Sequence, residues 1–432
     1  MRPVWLFVGL LAVLPLHRPA LLAAWGLPGG LPEILFPVAA LGLLWSLGRP
    51  LRSLRQLPRW VWLHGALLLA GLLPSVLLAP GDARGRAALQ LLVLLYIAAL
   101  HGGARMLVLL GGRDAGLRAL IAGAAVACVL GLVGWGLALA GREPFGLAAY
   151  YPWMAAGGPR PLGPTESPAM LGTIALGGAT ATLVLWRRAA CARSSALLLV
   201  GLFGLTLLLT RSRLVLAALL GLGVLGLAAR RPLLRVLAGV AVIMALAGTA
   251  ASITWRLVPV TAQWPFIDLH PSPYRVCHEI AWKTFVEHPL AGVGLENFAA
   301  AWPRYYEPAR HDPAFAGMSL GSGRSEGAGP SWRELPLDPH GTPQGYLAEA
   351  GVPAGLMLLG LGLLLWRVKE TELPESAAYL AALALAALSL DVLTERSTWA
   401  LLGLLGRGPD SERRGRWWMS TTDRSWGRYP GS

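Results

Sequence analysis

The sequence predicts an all-α polytopic membrane protein with about twelve transmembrane helices and one large loop on the side opposite the termini. Two observations carry this. The 432 residues are 55% hydrophobic and only 14% charged, against roughly 25% charged in a soluble domain. The apolar residues also come in blocks close to the ~20 that a helix needs to cross a bilayer, separated by short turns bearing arginine. A membrane barrel would instead require short alternating strands, which the chain lacks.

In order, the candidate spans are Val4–Leu22, Leu31–Leu47, Trp60–Ala79, Ala88–Leu110, Leu117–Ala140, Pro168–Trp186, Ala196–Thr210, Leu214–Ala229 and Leu233–Ile253. After a long polar gap follow Gly345–Trp366, Ser376–Leu393 and Thr398–Gly406, the last very short. Met1–Leu16 has no clear small-residue cleavage site, so it reads as the start of the first span rather than a removed signal. The chain divides into spans over 1–253, a loop domain over 254–344, spans over 345–406 and a polar tail over 407–432. The basic tail, with Arg413, Arg414 and Arg416 beside Trp417 and Trp418, reads either as disordered or as resting on anionic lipid.

Arginine placement orients the spans. With the N-terminus inside, the inner loops hold Arg49, Arg52, Arg55 and Arg59, then Arg113 and Arg118, then Arg187, Arg188 and Arg193. Arg230, Arg231, Arg235, Arg367 and Lys369 continue the series, while the outer short loops carry only sparse arginines such as Arg84, Arg86 and Arg142. This bias places both termini in the cytoplasm and the 254–344 segment outside. It also accounts for the net charge of +14 without a nucleic-acid partner. Cys128, Cys191 and Cys277 show no paired spacing, so neither a disulfide framework nor a thiolate metal site is implied.

Within the outer segment, Ser272-Pro273 predicts a helix start, with a capping hydroxyl and proline at the first helical position. Cys277, Ile280, Ala281 and Phe285 recur on one face. His288-Pro289 predicts its end, because the residue before proline is pushed out of helical geometry.

Three features carry chemistry. Thr210-Arg211-Ser212-Arg213 interrupts one long apolar stretch and reads as an outer turn. Its arginines are either snorkelling boundary residues or an anion site, since guanidinium offers a donor fork matched to phosphate. Arg275 heads the outer helix, and Arg160 lies in Arg160-Pro161-Leu162-Gly163 on the same side. His340 stands just before the span that follows the polar segment. Alone it is a solvated loop histidine; beside the arginines it is a candidate proton-transfer group. Glu279, Glu287, Glu296 and Glu349 show no metal-ligand spacing, and no phosphate loop, zinc motif or serine elbow is present. An outward basic site without a nucleotide motif points to a lipid-linked phosphate.

These residues carry a resemblance. Tyr274-Arg275, Ala281-Trp282-Lys283 and His288-Pro289-Leu290-Ala291-Gly292-Val293-Gly294-Leu295-Glu296-Asn297-Phe298 resemble the signature of the O-antigen ligase and polymerase family. Pro339–Gly355 is similar to the family's histidine and Glu-x-Gly-x-x-Gly motif, with Gly341 where asparagine usually stands and Pro343 close behind. Thr210–Arg213 and Arg160–Gly163 resemble two further segments, so the likeness covers roughly residues 160–405. The resemblance implies a GT-C-like membrane glycosyltransferase of the bacterial inner membrane with a periplasmic loop and active site. It implies transfer of O-antigen from undecaprenyl diphosphate to lipid A-core, inverting, with no metal or other cofactor. Arg213 and Arg275 would grip the diphosphate, and His340 would serve as base or positioning group. Arg211, Arg160, Arg304 and Glu349 would be substrate-binding residues beside them. A repeat-unit polymerase, a protein O-oligosaccharyltransferase, a lipid-linked glycan transporter and a structural scaffold remain alternatives. The apolar spans show almost no interior charge, which counts against the transporter.

Overall fold

In the computed structural model the backbone is described for residues 4–16, 31–46, 57, 59–149, 159–165, 167–212, 214–227, 235–236, 239–243, 246, 272–311, 342–369, 374–387 and 395–406. The described chain is a helical membrane protein. Four of its helices are long and apolar enough to cross a bilayer, and six shorter apolar helices accompany them. The helices are α1 Val4–Val13, α2 Leu31–Ser46, α3 Arg59–Leu78, α4 Gly81–Leu109, α5 Arg113–Leu139, α6 Pro168–Arg187, α7 Arg193–Leu209 and α8 Leu214–Leu227. Then follow α9 Ser272–Glu287, α10 Phe298–Tyr305, α11 Pro308–His311, α12 Thr342–Ala350, α13 Ala354–Lys369, α14 Pro374–Ala387 and α15 Arg396–Leu405. The described sheet structure is a two-residue antiparallel pair, β1 Ala148–Ala149 with β2 Arg160–Pro161.

Several expected boundaries move, for local reasons. The first helix ends at Val13, because Pro15 cannot continue it and Leu16 N–H closes a tight turn on Val13 O. Helix α4 begins at Gly81, so Arg84 and Arg86 sit in its first two turns rather than in a loop. The expected span Gly345–Trp366 is broken: Gly351, at φ +68°, separates α12 from α13, and the apolar run starts only at Ala354. The expected division between residues 344 and 345 therefore falls inside α12. Of Leu233–Ile253 only residues 235–236, 239–243 and 246 are described, and the tail after Gly406 lies outside the described residues.

Helix α9 spans Ser272–Glu287, as its serine, proline and His288-Pro289 signals predict. Cys277, Ile280 and Ala281 are buried and Phe285 is half-buried. Two apolar clusters result. The large one fills the bundle from Phe7 to Leu405. The smaller gathers Val276, Cys277, Ile280 and Ala281 of α9 with Phe298, Trp302, Tyr305, Tyr306 and Ala348.

Small residues set the helix spacing, as membrane packing without a hydrophobic drive requires. A side chain at Gly71 of α3 would meet Pro353 O at 2.7 Å, and one at Gly403 of α15 would meet His101 O at 2.6 Å. The interior of the spans holds a polar group. His64 of α3 stacks on Trp399 of α15, ring centroids 5.2 Å apart. His101 of α4 donates from Nδ1 to Trp399 O at 3.2 Å. Arg105, one turn from the end of α4, is also buried. It lies against Gly406, where Arg113 Nη2 donates to the Gly406 carbonyl. Two guanidinium groups thus meet the C-terminal end of α15, the end that carries partial negative charge.

Candidate functional site

The described residues place the candidate segments in two constructions. The first comprises the Arg160 segment and the Thr210 turn, each of which lies against α6. Leu162 and Gly163 both donate backbone N–H to Leu147 O at 2.9 Å, closing the chain on itself. Gly163, at φ +58°, brings the backbone so near α5 that a side chain would lie 2.7 Å from Ala127 O. Thr165 Oγ1 donates to Leu162 O, and Ser167 caps α6 by accepting from Met170 N–H at 3.1 Å. Arg160 is held buried in β2, which packs against α5, α6 and α7.

At the end of α7 the chain turns through Thr210, Arg211 and Ser212. Thr210 Oγ1 donates to Leu207 O at 2.7 Å and lies 3.0 Å from Ser212 Oγ, with both side chains buried. Ser212 O accepts Val215 N–H, and Ser212 Oγ faces Gly172 of α6. Arg211 adopts a left-handed φ of +48°, a conformation that costs a non-glycine residue about 1–3 kcal/mol. The surrounding hydrogen bonds impose it. Arg213 lies outside the described residues.

The second construction is a junction between the two glycine-bearing motifs. Val293 N–H donates to Ala348 O at 3.1 Å, and Gly294 N–H to Glu349 O at 2.9 Å. In return Val352 N–H donates to Pro289 O at 2.7 Å. Gly292 and Gly351 both take left-handed φ values, +63° and +68°. A side chain on Gly292 would strike the Glu349 backbone, and one on Gly351 would strike Pro289 O and Ala291 N. The glycines are therefore the residues that let two chain segments touch backbone to backbone.

Ser75 and Asn297 tie the junction to the bundle, and Glu349 ties it to α10. Ser75 of α3 donates from Oγ to Glu349 O at 2.8 Å. Asn297, buried, accepts at Oδ1 from Arg86 Nη2 at 2.7 Å and Nε at 3.1 Å. Its Nδ2 donates to Leu295 O at 2.9 Å and Ala83 O at 3.5 Å. The half-buried Glu349 turns Oε1 towards the first N–H of α10, Phe298 N, at 3.4 Å, a helix end that favours a carboxylate. Glu349 is thus engaged in the architecture of the junction. Sequence reasoning missed Ser75 and the structural use of Arg86. Partners more than two hundred positions apart leave no local pattern.

Arg275 occupies the first turn of α9, and His340 lies outside the described residues, two positions before α12. Helices α9 and α12 pack on each other. Arg304 forms a surface pair, Nη2 donating to Glu287 Oε2 at 3.1 Å with its guanidinium 5.4 Å over the Tyr305 ring. Such exposed pairs contribute about 0–1 kcal/mol. Burial raises the Tyr305 hydroxyl pKa, and its hydrogen bond to the Glu287 carboxylate raises it further.

A charged network also flanks α9. Glu279 lies 2.6 Å from Arg310 and 3.7 Å from Lys283. Lys283 Nζ donates to Glu307 Oε1 at 2.9 Å, and this bond and charge lower the Glu307 pKa. His311 is buried beneath the network. Its Nδ1 accepts Glu307 N–H at 2.9 Å, which leaves the proton of the neutral ring on Nε2, 3.6 Å from Glu279 Oε1. With both ring nitrogens turned to protein atoms, His311 is placed to hold α11 rather than to meet substrate.

Compared with known proteins, the chain matches no family model and no curated sequence.

Proposed function

We propose that this chain is a glycosyltransferase of the O-antigen ligase type. It moves a glycan from undecaprenyl diphosphate to lipid A-core at the periplasmic face of the inner membrane, within a GT-C-like bundle of about twelve spans. The observation that carries the reading is the junction of Gly294 with Glu349. It fastens together the helix that bears Arg275 in its first turn and the helix that begins two residues after His340. The helix that carries Arg275 and the helix that follows His340 in sequence thus belong to one constructed unit, while the Arg160 and Thr210 segments belong to the other.

In this reading the acceptor hydroxyl oxygen attacks the anomeric carbon from the face opposite the diphosphate. The new glycosidic bond forms as the bond to the diphosphate oxygen breaks, with inversion. Arg213 and Arg275 neutralise the charge growing on the leaving diphosphate. His340 orients the hydroxyl or takes its proton. Clustered guanidinium groups supply this stabilisation without metal, and the reaction uses no other cofactor.

Gene deletion tests the assignment. It is expected to abolish lipid A-linked O-antigen while lipid-linked polymer accumulates. Normal lipid A-linked antigen in the deletion strain would overturn it.

A further inference from the structure

Helix α9 has three distinct flanks. Val276, Cys277, Ile280, Ala281 and Thr284 are buried against its neighbours. Glu279, Lys283 and Glu287 line a second flank and are ion-paired to Arg310, Glu307 and Arg304. The third is apolar yet uncovered: Trp282 is 61% exposed, Val286 57% and Leu290, just past the helix end, 76%. Trp282 and Val286, four residues apart in the helix, share one face, and Leu290 extends the exposed apolar surface just past the helix end. A stripe of this kind on a segment surrounded only by water would be an exposed apolar patch that soluble surfaces rarely carry without a partner.

The stripe continues into the bundle. Pro289, beside Leu290, accepts the Val352 N–H at 2.7 Å, and Val352 is itself 60% exposed. Val352 leads into α13, whose Leu356, Leu359 and Leu363 face outwards from an apolar helix. The crossing point also lies at the level where the α3 span stops. A side chain on Gly294 would meet Ala79 Cβ at 3.3 Å, one residue past the end of α3. Trp282, packed against Phe285 with centroids 5.4 Å apart, is the amphipathic aromatic that concentrates at the membrane–water boundary.

We infer that α9 is a membrane-surface helix whose Trp282–Val286–Leu290 stripe docks onto the bilayer, as an outward continuation of the lipid-facing side of α13. The occupant of this face is lipid, at the boundary of headgroups and acyl chains, where an apolar stripe beside a charged flank is stable. Arg275 stands seven residues before Trp282, two turns earlier in the same helix, so docking would hold its backbone close to the headgroup layer. The inference does not depend on the glycosyl-transfer reading.

Site-directed spin labelling of the full chain in phosphatidylethanolamine–phosphatidylglycerol liposomes tests this. Cys128, Cys191 and Cys277 are first replaced by alanine, and labels are placed at Trp282→Cys, Val286→Cys and Leu290→Cys. Leu359→Cys serves as the lipid-facing reference and Ala300→Cys, on the exposed side of α10, as the aqueous one. None of the three stripe residues belongs to a buried cluster, so three positions give independent readings in folded protein. The stripe labels are expected to resemble Leu359, accessible to oxygen and shielded from a water-soluble nickel chelate. Accessibility equal to that at Ala300 overturns the inference. Dipolar broadening between labels on two chains would also overturn it, by showing that a second copy covers the face.

Discussion

Arg86 and Asn297 stand 211 positions apart and meet through two hydrogen bonds, both donated by the guanidinium to the single oxygen Oδ1. The opposite edge of the same amide donates to the carbonyls of Leu295 and Ala83. Only an amide satisfies both edges at once, so Asn297 fastens the segment that follows α9 to the first turns of α4.

Asn297→Asp tests that relationship against simple charge pairing. The carboxylate would gain an ion pair with Arg86 but face two carbonyl oxygens with an acceptor. The expected result is a loss of about 1–3 kcal/mol, the cost of unsatisfied buried polar groups, read as a lower thermal midpoint in detergent. A midpoint equal to or above wild type would show that the Arg86 contact alone governs the site.

Gly292→Ala and Gly351→Ala are expected to destabilise by at least about 1–3 kcal/mol, since each adds left-handed strain to a backbone collision. Gly355→Ala, which meets nothing within 4 Å, is the control and is expected to be neutral. Thermal unfolding of the three variants distinguishes a tight junction from a loose turn.

At Arg211 backbone strain and charge are separable. Arg211→Gly relieves the φ of +48° and is expected to preserve or slightly raise stability, whereas Arg211→Ala keeps the strain. If the guanidinium binds donor, both variants lose transfer in a liposome assay. Arg213→Lys and Arg275→Lys should also be strongly impaired, because lysine lacks the bidentate fork. Wild-type activity in Arg211→Gly would leave this arginine a boundary residue.

His340→Ala is expected to lower single-turnover transfer by roughly 10²–10⁴-fold, the usual contribution of a lost general base, while donor binding persists. Substantial activity in His340→Gln would assign a positioning role, since an amide donates a hydrogen bond but takes up no proton.

Acid should loosen the α9–α11 contact first. Glu307 is held below its ordinary pKa by Lys283. A depressed carboxylate contributes stability above its unfolded value and loses it as pH falls through the depressed one. Glu307→Gln is therefore expected to flatten the acid limb of the stability profile, with hydrogen exchange over residues 305–311 as the readout. An unchanged limb would remove the pair as its cause.

The sequence by itself determined the class of fold, because crossing a bilayer demands long apolar helices and the apolar blocks announce them. It also determined the ends of α9, where Ser272, Pro273 and Pro289 act through their own backbone chemistry. Boundaries were less legible where a distant contact rules. The break at Gly351 is set by Pro289 and Ala291 pressing against it, and the early start of α4 carries Arg86 to Asn297. The polar group of His64, His101 and Trp399 was hidden as well, since each residue sits alone in an apolar run and only helix packing assembles them. The family resemblance had singled out His288–Phe298 and Pro339–Gly355. Only the tertiary structure showed why, since backbone hydrogen bonds between them require two segments of the chain to approach more closely than a side chain allows.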